Sequence, residues 1–346
     1  MGFIAGAGSL LALTEPSIEH FVAQFINWLN GIIGNYGWTV VVFTLILKLV
    51  LSPLDIWQKR VMHKNQRAME RMKPQIAKLQ KQYAHNKEMF QQQQLKLYKK
   101  EGYSMLGSCL PMIVTLVVFF IVFAGFNSMA TYMVQKRYYD ITVAYDTAYG
   151  EVYEATLNNE EEAMQAGRDA VIAEYKENDD MYKWLWVKNV FVGDNWKSPI
   201  PSYEEFTSTG FSGLRVPTDW VGTDAKVYED YMSVLLESEE NQGWNGYLIM
   251  PILTILVTLG SQLIMKQPTP PAVDGDVNST KAPGGAAMKF IMPAMMGFFA
   301  LFYSSAFTIY LLVSQLFSLA FQAIFNLITG IRDKKEDEYI MTHTYK

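Results

Sequence analysis

Apolar side chains run from Trp38 to Trp57 (WTVVVFTLILKLVLSPLDIW) with one cation, Lys48, among them. Nineteen helical steps of about 1.5 Å span roughly 28 Å, close to the hydrocarbon thickness of a bilayer. The stretch therefore predicts a membrane-spanning helix, with Trp38 and Trp57 in the two interfacial belts. Just upstream, Ile18, Phe21, Val22, Phe25, Trp28, Leu29, Ile32 and Ile33 recur at helical spacing, while Ser17, Glu19, His20, Gln24, Asn27 and Asn30 fill the other side. That pattern predicts an amphipathic helix from Ser17 to Ile33 lying in the interface. Further apolar runs predict spans over 106–126, 244–265, 287–304 and 305–328, the last two separated by a tight turn at Ser304-Ser305.

Between the first and second runs the pattern changes. Met62, Met69, Ile76 and Tyr83 recur every seven residues, with Met72 and Leu79 at the intervening positions. Such spacing predicts a helix with one apolar seam. Pro74 is expected to start or kink a helix inside it. A break at Ala84-His85-Asn86 precedes a second helix carrying Met89, Phe90 and Leu97, so 57–105 reads as a helical hairpin. In the long polar stretch 127–243 the middle, Glu151–Lys176, reads as helix, and Lys183–Pro201 is rich in Trp, Phe, Gly and Pro.

Charge orients these elements. Residues 56–107 hold twelve Lys/Arg against three acids, a net of +9, while 127–243 holds nine against twenty-two, a net of −13. The basic segment belongs in the cytoplasm, since Lys and Arg near span ends are retained there. The expectation is an all-α integral membrane protein with five transmembrane helices, a cytoplasmic helical hairpin and an N-terminal interfacial amphipathic helix. Its parts are an N-terminal segment 1–35, spans 36–56 and 106–126 around the hairpin, an extracytoplasmic acidic region 127–243 and a third span 244–265. A Pro/Gly/Ser-rich cytoplasmic linker 266–286, spans 287–304 and 305–328 and a cytoplasmic tail 329–346 complete it. The N-terminus is then outside and the C-terminus inside. Residues 1–15 lack the basic leader of a signal peptide and a lipidation cysteine.

Candidate chemistry is sparse. Cys109 is the sole cysteine, so no intramolecular disulfide framework can form. His63 and His85 show no metal-ligand spacing, and no phosphate-cradling loop, HExxH or GxSxG occurs. An enzyme, a cofactor and sequence-specific nucleic-acid reading are not expected.

The informative residue is Lys48. At mid-membrane a cation costs about 2.5–3.5 kcal/mol on insertion scales, so it should face protein or water. One reading pairs it with a structural carboxylate; the other leaves it as a cation in a wet cavity, which fits the lack of Asp or Glu inside the other spans. Polar residues that could line such a cavity are Ser261 and Gln262 in the third span and Ser314, Gln315, Ser318 and Gln322 in the fifth, where Ser318 and Gln322 share a face. The same groups could serve as ordinary interhelical hydrogen-bonding partners. Met288, Met292, Met295 and Met296 make the fourth span rich in pliable side chains, suited to a sliding surface or to plain packing. A small-solute transporter or channel using Lys48 as counter-charge is the rival class, though paired repeats with broken helices are not evident.

Four stretches carry a resemblance: TLILKLVLSPL, KLYKKEGYSMLGSCLP, WLWVKN and MKFIMPAMMGFFALFY. Together they resemble YidC-type membrane protein insertases of the Oxa/YidC superfamily, in order and spacing across all five predicted spans. The resemblance implies a hydrophilic groove open to cytosol and lipid, in the bacterial cytoplasmic membrane. It implies that Lys48 stands where most relatives carry an arginine that engages substrate tails, and that Thr44 matches a substrate-contacting threonine. Implied partners are nascent membrane proteins, with the ribosome, the signal recognition machinery or the Sec translocon beside them, and anionic lipid headgroups at the basic hairpin. Three departures stand out: lysine offers a compact charge rather than a planar fork, the external region is long, and the tail carries four basic and four acidic residues rather than a basic excess.

Overall fold

The computed structural model describes residues 13–103, 105–210, 213–239, 241–264 and 286–344. The expected linker 266–286 falls outside them but for its last residue. So do the side chains of Cys109, Gln262, Met288 and Met292 and of the tail beyond Arg332. All described elements are helices: α1 Phe21–Ile33, α2 Tyr36–Gln82, α3 Lys87–Lys100, α4 Met105–Ala155, α5 Glu160–Glu177, α6 Asp179–Tyr182, α7 Tyr203–Thr207, α8 Thr218–Val221, α9 Ala225–Leu236, α10 Ile249–Ile264, α11 Ala286–Phe302 and α12 Ser305–Thr344. The long helices α2, α4 and α12 each contain a stretch long and apolar enough to cross a membrane, and α10 and α11 hold shorter apolar segments.

The chain divides into two compact units. The first comprises Met1–Thr44, Phe120–Thr254 and Met296–Val313; the second comprises Leu45–Phe119, Ile255–Met295 and Ser314–Lys346.

In the first unit, α1 starts at Phe21 rather than Ser17 because the His20 imidazole accepts from the Val22 amide at 3.2 Å and caps the helix. It ends at Gly34, whose φ of 79° closes the last turn through a bond to the Asn30 carbonyl. Val22, Ala23, Ile26 and Leu29 are buried, while Phe21 (64% exposed) and Ile32 (68%) lie with Phe25 and Trp28 on the open face. The amphipathic pattern thus becomes one packed and one exposed aromatic-rich side. Asn35 ties the next helix down: its carbonyl oxygen accepts from the Trp38 amide, and its amide donates to the carbonyls of Asp180 and Lys183.

Helix α4 continues to Ala155, beyond the expected end of the span at 126. Its extension stays amphipathic, burying Met133, Val134, Tyr138, Ile141 and Tyr145. The expected helix Glu151–Lys176 is interrupted at a turn where Leu157 and Asn158 take positive φ, and Asn159 caps α5. An aromatic core joins the extension to α7 and α9: Tyr138 stacks on Tyr228 with centroids 5.1 Å apart and meets Phe206 at 5.5 Å.

The segment after α6 has no regular structure, yet it is dense in hydrogen bonds. The Asn245 amide donates to the carbonyls of Asn189 and Gly193 at 2.9 Å, and its carbonyl oxygen accepts from the Asn189 amide at 2.8 Å. The Asn245 backbone N–H reaches the Lys197 carbonyl at 2.7 Å. Residues 198–244, which include α7, α8 and α9, therefore leave and return at one point. Asp194, fully buried, accepts from the backbone N–H groups of Leu248 (3.0 Å) and Met250 (2.8 Å) and from the Trp186 indole (3.2 Å), satisfying the donors at the start of α10. The α11–α12 turn is pinned to the same segment, with Ser305 donating from backbone and hydroxyl to the Val192 carbonyl and Asn195 to that of Leu301.

Helix α2, 47 residues long, enters the second unit at Leu45 and passes there through both Pro53 and Pro74, so Pro74 neither starts nor ends an element. At Pro53 the missing N–H would have served the Leu49 carbonyl; the Ser52 hydroxyl donates to that carbonyl instead, at 2.8 Å. The seam expected between 57 and 105 forms a packed cluster: Ala68, Met69, Met72, Ile76 and Leu97 are buried, with Leu79, Phe90, Tyr98 and Tyr103 against them. Met62 and Tyr83, at the ends of the heptad series, are only half-buried.

Candidate functional site

The site is built on one face of α2. Lys48 to Lys59 is eleven residues, three helical turns and about 16 Å of rise, so both ammonium groups share a side. Asp55, two turns beyond Lys48, attracts both cations, and the two lysines repel each other. Helix α12 supplies the facing polar groups within the same unit. Lys48 Nζ donates to Ser318 Oγ at 3.2 Å, and Lys59 Nζ donates to Gln322 Oε1. Lys59 also lies over the Phe321 ring, 5.6 Å from its centroid. Gln322 Nε2 passes the chain on to Asn326 Oδ1 at 2.7 Å.

Ser318 and Gln322 are thus brought to Lys48 and Lys59 from the i, i+4 face expected of them. Ser314 and Gln315 are half-buried one turn earlier on α12. Ser261 donates to the Thr258 carbonyl at 2.7 Å, a bond within its own helix, and the Gln262 side chain is outside the described residues. In the first unit Thr44 is fully buried and its hydroxyl donates to the Val40 carbonyl at 2.6 Å. Met295 is exposed and Met296 half-buried on α11.

Sequence reasoning missed Lys59 and Asp55. Lys59 was counted with the basic segment that follows the first span, although its spacing of eleven from Lys48 placed it on the same face. The paired bonds have a chemical consequence. Serine and glutamine orient an ammonium group without neutralising it, and two cations with one carboxylate leave a formal charge of +1 in the set.

The family model described as "60Kd inner membrane protein" matches residues 28–330. The chain belongs to that family. Among curated proteins named "Membrane protein insertase YidC", that of Chlorobium limicola is 34% identical over 116 residues, which is 34% of this chain and 19% of the relative. That of Stenotrophomonas maltophilia is 37% identical over 95 residues, 28% of this chain and 16% of the relative. That of Ectopseudomonas mendocina is 37% identical over 103 residues, 29% of this chain and 17% of the relative. The aligned part of the chain spans under a fifth of the length of these relatives. Membership in the 60Kd inner membrane protein family agrees with the resemblance carried by the four motif stretches, and it covers α2, α4, α10 and α11 in full.

Proposed function

We propose that this chain is a membrane protein insertase of the bacterial cytoplasmic membrane, which receives the polar tail of a substrate in a hydrophilic groove lined by Lys48, Lys59, Ser318 and Gln322. Five spans, with the N-terminus outside and the C-terminus inside, put the segment carrying +9 in the cytoplasm and the one carrying −13 outside. Nascent membrane proteins are the substrates. The basic helices following the first span suit anionic headgroups and the delivery partners: the ribosome, the signal recognition machinery or the Sec translocon.

The observation that carries this reading is the Lys48–Ser318 hydrogen bond. A cation deep in a span and held by a neutral hydroxyl keeps its charge available to a ligand. Moving a polar tail through lipid costs several kcal/mol for each unsatisfied group. A polar stripe along two helices lowers that cost stepwise. An acidic tail residue 4 Å from Lys48, at an effective dielectric near 20, gains about 4 kcal/mol before desolvation. Partition of the substrate's apolar helix into lipid then completes insertion, and no bond is made or broken.

The test is reconstitution of the purified chain in liposomes with a single-span protein bearing a short translocated tail. The reading predicts protease-protected tails at levels well above those in empty liposomes. Equal protection in both would overturn it.

A further inference from the structure

Two irregular segments of the first unit, 183–200 and 244–248, turn large apolar side chains outward. Leu185, Trp196, Trp244 and Tyr247 are each more than half exposed, and backbone hydrogen bonds bring them to one place. The Trp184 and Val187 backbones bond in both directions, at 3.0 and 2.9 Å, closing a two-residue loop with Leu185 and Trp186 at its tip. Trp186 reaches Asp194, which also holds the Leu248 amide. The Asn245 and Gly246 amides reach the Lys197 and Asn195 carbonyls, which lays the chain at Trp196 alongside 244–247.

This patch differs from an ordinary wet surface. A two-residue loop of this kind takes a positive φ at its first position, where glycine or asparagine is the unstrained choice. The chain places leucine there, at φ 52°, and its exposed side chain packs little against the loop it strains. The backbone of both segments is bonded from within, through Asn189, Asp194 and Asn245. Irregular backbone stands beside hydrocarbon only when protein satisfies its polar groups in this way. Within 181–200 the one carboxylate is Asp194, fully buried, although 127–243 as a whole carries −13, so the patch presents no anionic side chain to lipid phosphates. It is also continuous with the spans. Trp38, more than half exposed at the start of the first apolar run, meets Trp184 edge-on with centroids 5.6 Å apart, and Tyr247 stands two residues before α10. Indole and phenol rings favour the headgroup level of a bilayer.

We propose that Leu185, Trp196, Trp244 and Tyr247 are seated in the headgroup boundary of the membrane, on the side where α2 and α10 enter it. The two segments dock on lipid through apolar burial. They hold the starts of α2 and α10 and the α11–α12 turn at that level, through Trp184, Asp194 and Asn195.

The proposal rests on the membrane reading of the chain but not on insertion activity, which the test leaves out. The full chain with Cys109→Ser is reconstituted in phosphatidylcholine–phosphatidylglycerol vesicles, carrying a nitroxide on Leu185→Cys, Trp196→Cys or Trp244→Cys. Collisions with oxygen, which concentrates among acyl chains, and with a neutral nickel chelate, which stays in water, report depth. Leu157→Cys is the water reference: Leu157 shares the positive φ and is exposed, but stands between Glu154 and Glu160. Leu116→Cys, exposed in the apolar part of α4, is the hydrocarbon reference. Nickel collisions at 185, 196 and 244 should be several-fold lower than at 157, with oxygen collisions between those at 157 and 116. In the unlabelled chain, Trp196→Phe with Trp244→Phe should remove part of the fluorescence quenching by lipids brominated high in the acyl chain. Nickel collisions equal to those at 157, or quenching unchanged in the double variant, would overturn the proposal. Labels shielded from both reagents would mean a protein partner or a second copy on this face and would overturn the assignment to lipid. A nickel-accessible label at 116 would overturn the membrane reading and this proposal with it.

Discussion

Lys48 and Ser318, 270 positions apart in the chain, meet at 3.2 Å in a hydrogen bond between a span-borne cation and a neutral hydroxyl. A carboxylate at position 318 would have quenched the charge, and an alkyl group would have left the ammonium without that acceptor. Ser318→Ala should therefore leave the fold intact and reduce insertion only modestly, whereas Ser318→Asp should reduce it strongly by closing an ion pair. Insertion per unit of membrane-embedded protein separates the two variants.

Asp194 organises the start of α10 by accepting from three donors, the Met250 amide among them fully buried. Replacing it with Asn turns one acceptor into a donor aimed at another donor. Bonds to charged groups contribute about 1.5–3 kcal/mol each, so Asp194→Asn should destabilise the first unit by about 2–3 kcal/mol. Thermal unfolding followed by tryptophan fluorescence measures this, since Trp186 donates to the same carboxylate.

The Ser52 hydroxyl substitutes for the N–H that Pro53 lacks. Ser52→Ala should cost about 1 kcal/mol through the Leu49 carbonyl it leaves unsatisfied. In a Pro53→Ala background, where the backbone amide is restored, the same change should cost close to nothing. A double-mutant cycle on chemical unfolding in detergent reads the coupling.

Asp146 gives the packing of α4 against α9 a pH response. Burial pushes its carboxyl up to about 6, against the opposing pull of the hydrogen bond from Tyr231. The native state then binds a proton more tightly than the unfolded chain, so stability rises as pH falls through 6 and levels off near the ordinary carboxylate value. Discounted for a half-exposed group, the gain is about 1 kcal/mol between pH 7 and pH 4. Asp146→Asn should flatten this part of the profile, measured by amide exchange in α4 and α9.

Much of this architecture was legible in local pattern. The apolar run around Lys48 announced a span by length alone, and the heptad of Met69, Ile76 and Met72 located the cluster that Leu97 completes. Of the two roles expected for Pro74, starting a helix is not seen, because one missing hydrogen bond does not end a helix whose other turns are intact. The extension of α4 was hidden by the fall in hydropathy after Phe126, where the helix turns from apolar to amphipathic without ending. Contacts fixed by tertiary pairing were out of reach: Asn189 finds Asn245 across 56 positions, and nothing near either residue encodes the other. For the candidate site, sequence position supplied Lys48 and the Ser318–Gln322 face; Asp55 lay inside the same apolar run and was passed over, while Lys59 required knowing that α2 continues unbroken past Trp57.

The central claim is that Lys48 recruits acidic tails by charge. The most direct measurement compares insertion of two substrates, identical but for an acidic or a neutral translocated tail, normalised to the abundance of each variant. Lys48→Arg should keep both activities. Lys48→Ala should lower insertion of the acidic tail about tenfold or more, since the Coulomb attraction of about 4 kcal/mol before desolvation exceeds the 1.4 kcal/mol that a factor of ten requires. The neutral tail should change far less. Equal losses for both tails in Lys48→Ala would contradict the account and leave Lys48 a structural residue.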